Sequence, residues 1–173
     1  MASSVTLGTT IDERFKMSTL DRDETRSSEK SQLSEIAKLL ALRKAPRTPV
    51  ETHEMLLHGL PTKALVHLVE NFAVLRWDGA LEKAVGMSQR TYQRHTSLTT
   101  KPLNPEQSGR TWKFAEILAK ATAVLGSKEE AEQWLEQPAI GLDQRRPIDL
   151  LATPAGIELV EQYLLRLEYG VYA

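Results

Sequence analysis

The segment SQRTYQR, residues 88–94, concentrates side chains that are able to read the edges of DNA bases. A serine that can cap a helix is followed by amide and guanidinium groups at helical spacing: Ser88, Gln89, Arg90, Gln93 and Arg94. Arginine forms two parallel hydrogen bonds with guanine, and glutamine does so with adenine. The segment therefore predicts a DNA-reading helix. An exposed polar helix after an ordinary helical corner is the alternative.

The residues in front of this segment predict the turn that would position it. Leu81 and Val85 supply the inner face of a first short helix, and Gly86 supplies a turn residue for which the left-handed conformation costs little. With Met87 packing after the turn, the parts together indicate a helix-turn-helix. Two residues of the second helix are predicted to be buried: Tyr92 and His95. Three polar residues nearby are candidates for phosphate contacts: Thr91, Lys101 and Gln107.

Hydrophobic periodicity and capping signals predict helices along the rest of the chain, and no segment predicts a convincing pair of strands. The clearest start is the capping box in NPEQ, residues 104–107, and Gly126 ends that helix. Further helix starts are predicted at capping residues and first-turn prolines: Thr62, Ser127, Pro147 and Thr153. Residues 1–30 are predicted to be loosely ordered. A short amphipathic helix is predicted after them, over residues 33–40. The predicted fold is all-α, with about eight helices.

Charge is unevenly distributed, although the whole chain of 173 residues has a formal charge of only −1. Residues 76–126 hold eight basic and four acidic side chains, and residues 127–173 hold four basic and nine acidic ones. A basic middle and an acidic end suggest a polyanionic partner and a second, different partner, or two solvated faces of one fold.

The chain has no cysteine, which excludes a disulfide framework and thiol catalysis.

Nothing in the residue pattern predicts an enzyme. The histidines at positions 53, 58 and 67 lack the i, i+4 spacing that places two imidazoles on one helical face. The chain has no glycine-rich phosphate loop and no nucleophile elbow. Trp112 and Trp134 fit helix faces and are predicted to be core anchors rather than ligand platforms. We expect no catalytic residue, no metal site and no cofactor.

The pattern also favours a protein of the cytoplasm. No apolar run reaches the roughly 18 residues that a membrane span needs. The first residues lack the charged start and the long apolar stretch of a secretory signal. The absence of cysteine fits a reducing compartment. We therefore expect a cytoplasmic protein with no membrane partner.

From Gly126 onward, short blocks follow one another in a fixed order: GSKEEA, WLEQP, RRPIDLL, TPAG and RLEYGVYA. This part closely resembles the toxin-binding domain of the Xre/MbcA/ParS antitoxins, and residues 60–125 are similar to the Xre-like helix-turn-helix domain of the same family. The five blocks in order are far more specific than the helix-turn-helix pattern alone. The family often has a glycine before the paired arginines, where this chain has Asp143 and Gln144.

The resemblance implies an all-α protein in which an Xre/Cro-like helix-turn-helix domain is followed by a small helical toxin-binding domain. The implied division is a polar N-terminal segment with one short helix at residues 1–50, a DNA-binding and dimerisation domain at residues 51–125, and a toxin-binding domain at residues 126–173. The first of these segments has no counterpart in the resemblance.

The resemblance further implies an antitoxin of a type II toxin–antitoxin system. It would neutralise a RES-domain toxin, an enzyme that degrades NAD⁺, by blocking the toxin's active site, and would carry no NAD⁺ chemistry itself. The matching toxin-binding residues are Arg145, Arg146, Tyr169, Gly170, Val171, Tyr172 and Ala173. The helix-turn-helix part would form a homodimer and repress its own operon by binding the promoter DNA. A stand-alone helix-turn-helix transcriptional regulator is the alternative.

Overall fold

The computed structural model describes residues 26–77, 79–97 and 101–170 of the chain. Within these residues the chain is helical, and its one strand-like pairing is an isolated antiparallel bridge between Ala139 and Arg145. The helices are α1 (residues 26–39), α2 (Pro49–His58), α3 (Thr62–Asn71), α4 (Ala80–Val85), α5 (Gln89–Ser97), α6 (Pro105–Leu125), α7 (Lys128–Glu136), α8 (Pro147–Leu150) and α9 (Pro154–Glu168), with 3-10 turns at Ala73–Arg76 and Ile140–Leu142. The predicted all-α class is confirmed.

The helix around which the others pack is α6, which is 21 residues long. Its buried stripe mixes large and small side chains: Ser108, Thr111, Trp112, Phe114, Ala115, Ile117, Leu118 and Ala121. From the N-terminal part of the chain α2 and α4 contact α6, and from the C-terminal part α7 and α9 contact it. Both parts therefore contribute to one continuous hydrophobic core.

Local capping groups set the ends of the longer helices, as the sequence predicts. The side chain of Asn104 accepts the backbone N–H of Gln107 at 2.7 Å, and Oε1 of Gln107 accepts the backbone N–H of Asn104 at 3.3 Å. This reciprocal pair is the predicted capping box of α6. Ser127 and Thr153 cap α7 and α9 through their side-chain oxygens, and Gly126 ends α6 in the left-handed conformation.

The predicted cap at Thr62 is wrong. Thr62 is the first residue of α3, and its hydroxyl donates to the carbonyl oxygen of Lys101 at 2.5 Å instead of accepting from the helix. Beside it, the backbone N–H of Leu60 donates to the buried hydroxyl of Ser108 at 2.8 Å. These bonds fix the corner between α2 and α3 to the segment that begins α6. They join residues far apart in the chain, so local patterns could not show them.

The prediction of loose order for residues 1–30 is wrong for residues 26–30, which belong to α1. Their side chains are exposed, but arginine, glutamate and lysine are good helix formers. Burial of Ile36, Ala37 and Leu40 in the core anchors the helix, and the polar turns extend from that anchored part. Residues 1–25 lie outside the described residues.

A tight turn connects the 3-10 turn at Ile140–Leu142 with α8. Asp143 and Gln144 both adopt the left-handed conformation, with φ angles of 53° and 60°. The backbone N–H of Gln144 donates to the carbonyl oxygen of Ala139 at 3.1 Å and closes the turn. Aspartate tolerates this conformation better than most residues, so the strain is concentrated at Gln144. This is the position, just before the paired arginines, at which the resemblance leads us to expect a glycine.

Replacing Gln144 with glycine should stabilise the protein, because it relieves the left-handed strain and keeps the backbone hydrogen bond. We expect urea denaturation to show a rise of about 0.5–1 kcal/mol in the free energy of unfolding. Gln137, which is exposed and extended (φ −97°), provides the control. Gln137→Gly should lower the free energy of unfolding by about 0.5–1 kcal/mol. A loss of stability in Gln144→Gly would show that the turn is not strained.

Candidate functional site

The predicted helix-turn-helix is formed by α4, the turn after it, and α5. Gly86 ends α4 in the left-handed conformation (φ 74°), and its N–H donates to the carbonyl oxygen of Glu82 at 2.8 Å. Met87 is buried directly after the turn. Ser88 caps α5, since its Oγ accepts the backbone N–H of Thr91 at 3.3 Å. The predicted turn and the predicted cap are both confirmed.

The side chains predicted to read bases lie on the solvent side of this motif. All five are exposed: Ser88, Gln89, Arg90, Gln93 and Arg94. The prediction that Tyr92 and His95 are buried is wrong, because no residue of α5 is fully buried and both are half-buried. Tyr92 packs at the edge of the core, where burial and the nearby Glu70 carboxylate raise the pKa of its phenol. The base contacts of the five exposed residues stay a prediction.

Arg110, on α6, holds the turn from the other side. Its Nη2 donates to the carbonyl oxygens of Lys83 at 2.5 Å and Glu82 at 3.4 Å, at the C-terminal end of α4. A cation is stabilising there because the unpaired carbonyls of a helix end carry partial negative charge. The side chain also packs on Gly86, where an added Cβ would lie 3.1 Å from Nε of Arg110. No signal in the sequence marks this contact, which joins residues 27 positions apart.

A basic depression of about 180 Å³ lies beside the second half of α5. Its lining residues are Thr91, Arg94, His95 and Lys101. Two of the three residues predicted to contact phosphate, Thr91 and Lys101, are thus brought together beside Arg94. Gln107 is placed differently, since its Oε1 is used in the capping box of α6. The phosphate contacts themselves stay a prediction.

The C-terminal end of α9 carries residues that are predicted to bind a toxin. Tyr169 follows the helix and is 74% exposed. Gly170 is left-handed (φ 66°), and its N–H donates to the carbonyl oxygen of Leu167 at 3.2 Å. The helix therefore ends where the sequence predicts a glycine stop. Three further predicted residues lie outside the described residues: Val171, Tyr172 and Ala173.

Several large apolar side chains around α9 are exposed, and we call this set the α9 surface: Ile140, Leu159, Leu165 and Tyr169. The most exposed is Ile140, at 81%, and no periodicity marks it because it lies in a 3-10 turn of only three residues. Behind it, Tyr163 packs so closely on Gly141 that an added Cβ would lie 2.2 Å from the ring. Tyr163 also stacks on Trp134, with 6.2 Å between ring centres. Trp134 is half-buried and packs against the core, so its predicted role as a core anchor is confirmed in part, and it also supports the α9 surface. Trp112 is buried as predicted.

The two neighbouring arginines differ in their surroundings. Arg145 is exposed, and its backbone pairs with that of Ala139. Arg146 forms two parallel hydrogen bonds with Asp149, at 2.8 and 2.9 Å. Asp149 also binds Nζ of Lys83 on α4 at 2.6 Å, and the two cations together lower the pKa of its carboxyl. Arg146 is thus part of an ion-pair cluster that joins α8 to the helix-turn-helix.

The described part of the chain comprises residues 26–77, 79–97 and 101–170. No group of three or more histidine, aspartate or glutamate side chains in these residues is placed to hold a metal ion. No helix in the same part of the chain has the length and apolar character needed to cross a membrane. The fold and its surfaces define a helix-turn-helix protein with an attached helical unit whose apolar end is exposed.

Comparison with protein families refines this class. Residues 51–116 match the family described as the antitoxin Xre-like helix-turn-helix domain. Residues 120–170 match the antitoxin Xre/MbcA/ParS C-terminal toxin-binding domain. The chain belongs to the Xre/MbcA/ParS antitoxin family, and is an antitoxin with a helix-turn-helix domain and a toxin-binding domain.

Three curated relatives, each named Antitoxin Xre, are similar to this chain. The protein of Pseudomonas putida is 29% identical over 136 residues, which cover 78% of this chain and 82% of that protein. The protein of Photorhabdus laumondii is 28% identical over 114 residues, covering 65% and 75% of the two chains. The protein of Yersinia enterocolitica is 32% identical over 92 residues, covering 53% and 62%.

Gly86→Ala should destabilise the helix-turn-helix in two ways. The change forces a left-handed alanine and also displaces Arg110 from the end of α4. Gly126→Ala is the matched control, because Gly126 is left-handed too (φ 96°) but no atom lies within 4 Å of the added Cβ. In urea denaturation we expect Gly126→Ala to cost about 1–2 kcal/mol and Gly86→Ala about 1 kcal/mol more. Equal losses in the two variants would contradict the contribution of Arg110.

Proposed function

We propose that this antitoxin neutralises a RES-domain toxin that degrades NAD⁺, by covering the toxin's active site with the α9 surface. We also propose that it represses its own operon as a homodimer. The observation that carries the first proposal is the exposed apolar α9 surface, which lies within the residues that match the toxin-binding domain. An inhibitor of this kind needs no catalytic group of its own. We place it in the cytoplasm, together with its toxin.

The α9 surface has the composition of a binding site for a protein. Large apolar side chains that are exposed on and beside one helix offer apolar area that a partner can cover. Tyrosine suits such a site because it combines a large apolar area with a hydroxyl group that can form a hydrogen bond. Ile140 lies in a 3-10 turn that the Ala139–Arg145 bridge and the packing of Tyr163 on Gly141 hold in place. Binding therefore loses little conformational entropy at this loop.

Charge favours the same pairing. Residues 127–173 hold nine acidic and four basic side chains. A pocket that binds a dinucleotide through its phosphates is lined by cationic groups. An acidic partner is steered towards such a pocket during the encounter. We assign Val171–Ala173, which continue the chain beyond the left-handed Gly170, to the mouth of the toxin's pocket.

The proposal of autorepression rests on the exposed donors of α5 and the basic depression beside it. The Gly86 turn and the Arg110 contact fix α5 relative to α4, so the donors of α5 are presented in a defined orientation. A recognition helix inserts its first turns into the major groove. Helix-turn-helix proteins do this in pairs, at half-sites about 34 Å apart. We therefore propose a homodimer on a two-fold symmetric operator in its own promoter.

Removing Val171–Ala173, or changing Tyr169 to alanine, should weaken toxin neutralisation and leave DNA binding intact. Loss of one well-covered tyrosine contact costs about 2 kcal/mol, which is roughly 30-fold in affinity for the toxin. The readouts are growth rescue in a strain that expresses the toxin and the Kd of the purified pair. Leu57→Ala, which changes an exposed apolar residue on α2, is the control and should alter neither. Undiminished neutralisation by both variants would contradict the proposal that Tyr169 and Val171–Ala173 help to cover the toxin's active site.

Changing Arg90 and Arg94 together to alanine should abolish binding to the promoter and spare neutralisation. Each exposed guanidinium group accounts for about 1–3 kcal/mol of contact with DNA. Gel-shift titration of the promoter duplex at fixed salt measures the effect. A double variant at Arg43 and Lys44 removes the same charge from an exposed segment between α1 and α2, and should bind nearly as well as the wild type. Full promoter affinity after loss of Arg90 and Arg94 would exclude α5 as the recognition helix.

A further inference from the structure

Trp77 is exposed although tryptophan is a residue that usually buries most of its surface. Its exposed fraction is 61%, whereas that of Trp112 is 3%. It follows the 3-10 turn at Ala73–Arg76 and precedes α4, the first helix of the helix-turn-helix. A large aromatic side chain left in solvent at this point suggests a contact with a partner.

The backbone around Trp77 is held in place by hydrogen bonds. The N–H of Trp77 donates to the carbonyl oxygen of Val74 at 3.4 Å, and the carbonyl oxygen of Trp77 accepts the N–H of Ala80 at 3.1 Å. The guanidinium group of Arg76 donates to the carbonyl oxygens of Val69, at 3.2 Å, and of Glu70, at the C-terminal end of α3. The exposure of Trp77 is therefore a property of a fixed segment.

Trp77 shares a surface depression of about 430 Å³ with the start of the predicted recognition helix. Its lining includes Trp77, Gly79, Glu82, Ser88, Gln89 and Arg90. Of these residues, Ser88, Gln89 and Arg90 also belong to the five side chains that are predicted to read bases. A partner that contacts Gln89 and Arg90 from this side therefore lies next to the indole ring of Trp77.

We propose that Trp77 is a DNA-contacting residue, whose ring packs on the sugars and thymine methyl groups of the strand that borders α5. This inference rests on the proposed binding of promoter DNA. When the first turn of a recognition helix enters the major groove, the side chains flanking that turn face the DNA backbone. Arg90 supplies the charge that complements the backbone. The carboxylate of Glu82 would repel a phosphate placed in the depression. We therefore propose that the indole ring contacts the apolar groups of the DNA and not its phosphates.

A second depression, of about 210 Å³, borders Trp77 on the side of α8 and is a weaker candidate for contact with DNA. Its charged lining residues include Lys83, Arg146 and Asp149. Asp149 binds both of these cations, which reduces the positive charge available to attract a phosphate. In the depression shared with Arg90, the cations Arg76 and Arg90 outnumber the carboxylate of Glu82, so the charge there favours DNA more than in the second depression.

The first test measures affinity for the promoter duplex by fluorescence anisotropy across a series of salt concentrations. Trp77→Ala should weaken binding about tenfold, because an apolar contact area is lost. Trp77→Phe should recover most of the loss. The dependence of log Kd on log salt should be unchanged by either variant, since the ring carries no charge, whereas Arg90→Ala should reduce its slope by about 1. Leu57→Ala is again the matched control.

The second test does not depend on a destabilising variant. Trp77 is the most exposed of the three tryptophans in the wild-type protein, so acrylamide should quench its emission most. Saturation with promoter duplex should protect that emission, and Trp77→Phe should lack the quenchable component. Equal quenching with and without DNA would overturn the proposal.

Other outcomes of these tests also decide against the proposal. If Trp77→Ala weakens toxin binding, or dissociates the dimer while promoter affinity per dimer is unchanged, Trp77 belongs to a protein interface. If the wild type binds the promoter and Trp77→Ala binds it equally well, only this inference fails. If the wild type does not distinguish the promoter from unrelated DNA, the proposed autorepression is wrong, and the inference about Trp77 fails with it.

Discussion

Burial of one stripe of α6 is the constraint on which the rest of the structure depends. Phe114 and Leu118 on this stripe are almost completely buried, and their burial requires helices from both parts of the chain. The helix-turn-helix packs on α6 through α4, and the α9 surface is carried by a helix that packs on α6 as well. Lys113 on α6 also pairs with Glu161 on α9 at 3.2 Å, but the pair is half-open to solvent and adds little to the packing.

A shared core places the two candidate binding surfaces on one body. The hydrogen bond from Arg110 on α6 to the end of α4 fixes the turn in front of α5 relative to α6. On the other side of α4, Asp149 joins Lys83 to Arg146, a residue predicted to bind the toxin. Under the proposed function, a toxin held by α9 and a promoter held by α5 would therefore keep a defined orientation relative to each other. No flexible linker within the described residues separates the two matched domains, because α6 itself connects them.

Features that depend on neighbouring residues could be predicted from the sequence. The capping box at Asn104, the left-handed stop at Gly126 and the turn at Gly86 each follow from residue types within a few positions. The exposed donors of α5 follow from the same local pattern. The all-α class follows from the sum of such signals.

Features that depend on distant parts of the chain could not be predicted. Thr62 fits a helix cap by type, but the fold brings the carbonyl of Lys101 to its hydroxyl. Arg110 counts in the sequence as one more basic residue, and only the packing of α6 places it at the end of α4. Ile140 lies in one short 3-10 turn and Trp77 directly follows another, and such short segments have no periodicity from which exposure could be predicted. The structure thus adds contacts and exposure to a motif that the sequence had located.

The proposed inhibition is tested most directly by an assay of NAD⁺ consumption by the RES-domain toxin that we propose as the partner. Purified toxin should consume NAD⁺ when alone, and addition of the full-length antitoxin should stop consumption at a fixed molar ratio. The Tyr169→Ala variant should require a higher concentration to reach the same inhibition. Continued consumption of NAD⁺ by a toxin that is saturated with antitoxin would contradict the proposed inhibition, because a covered active site cannot turn over.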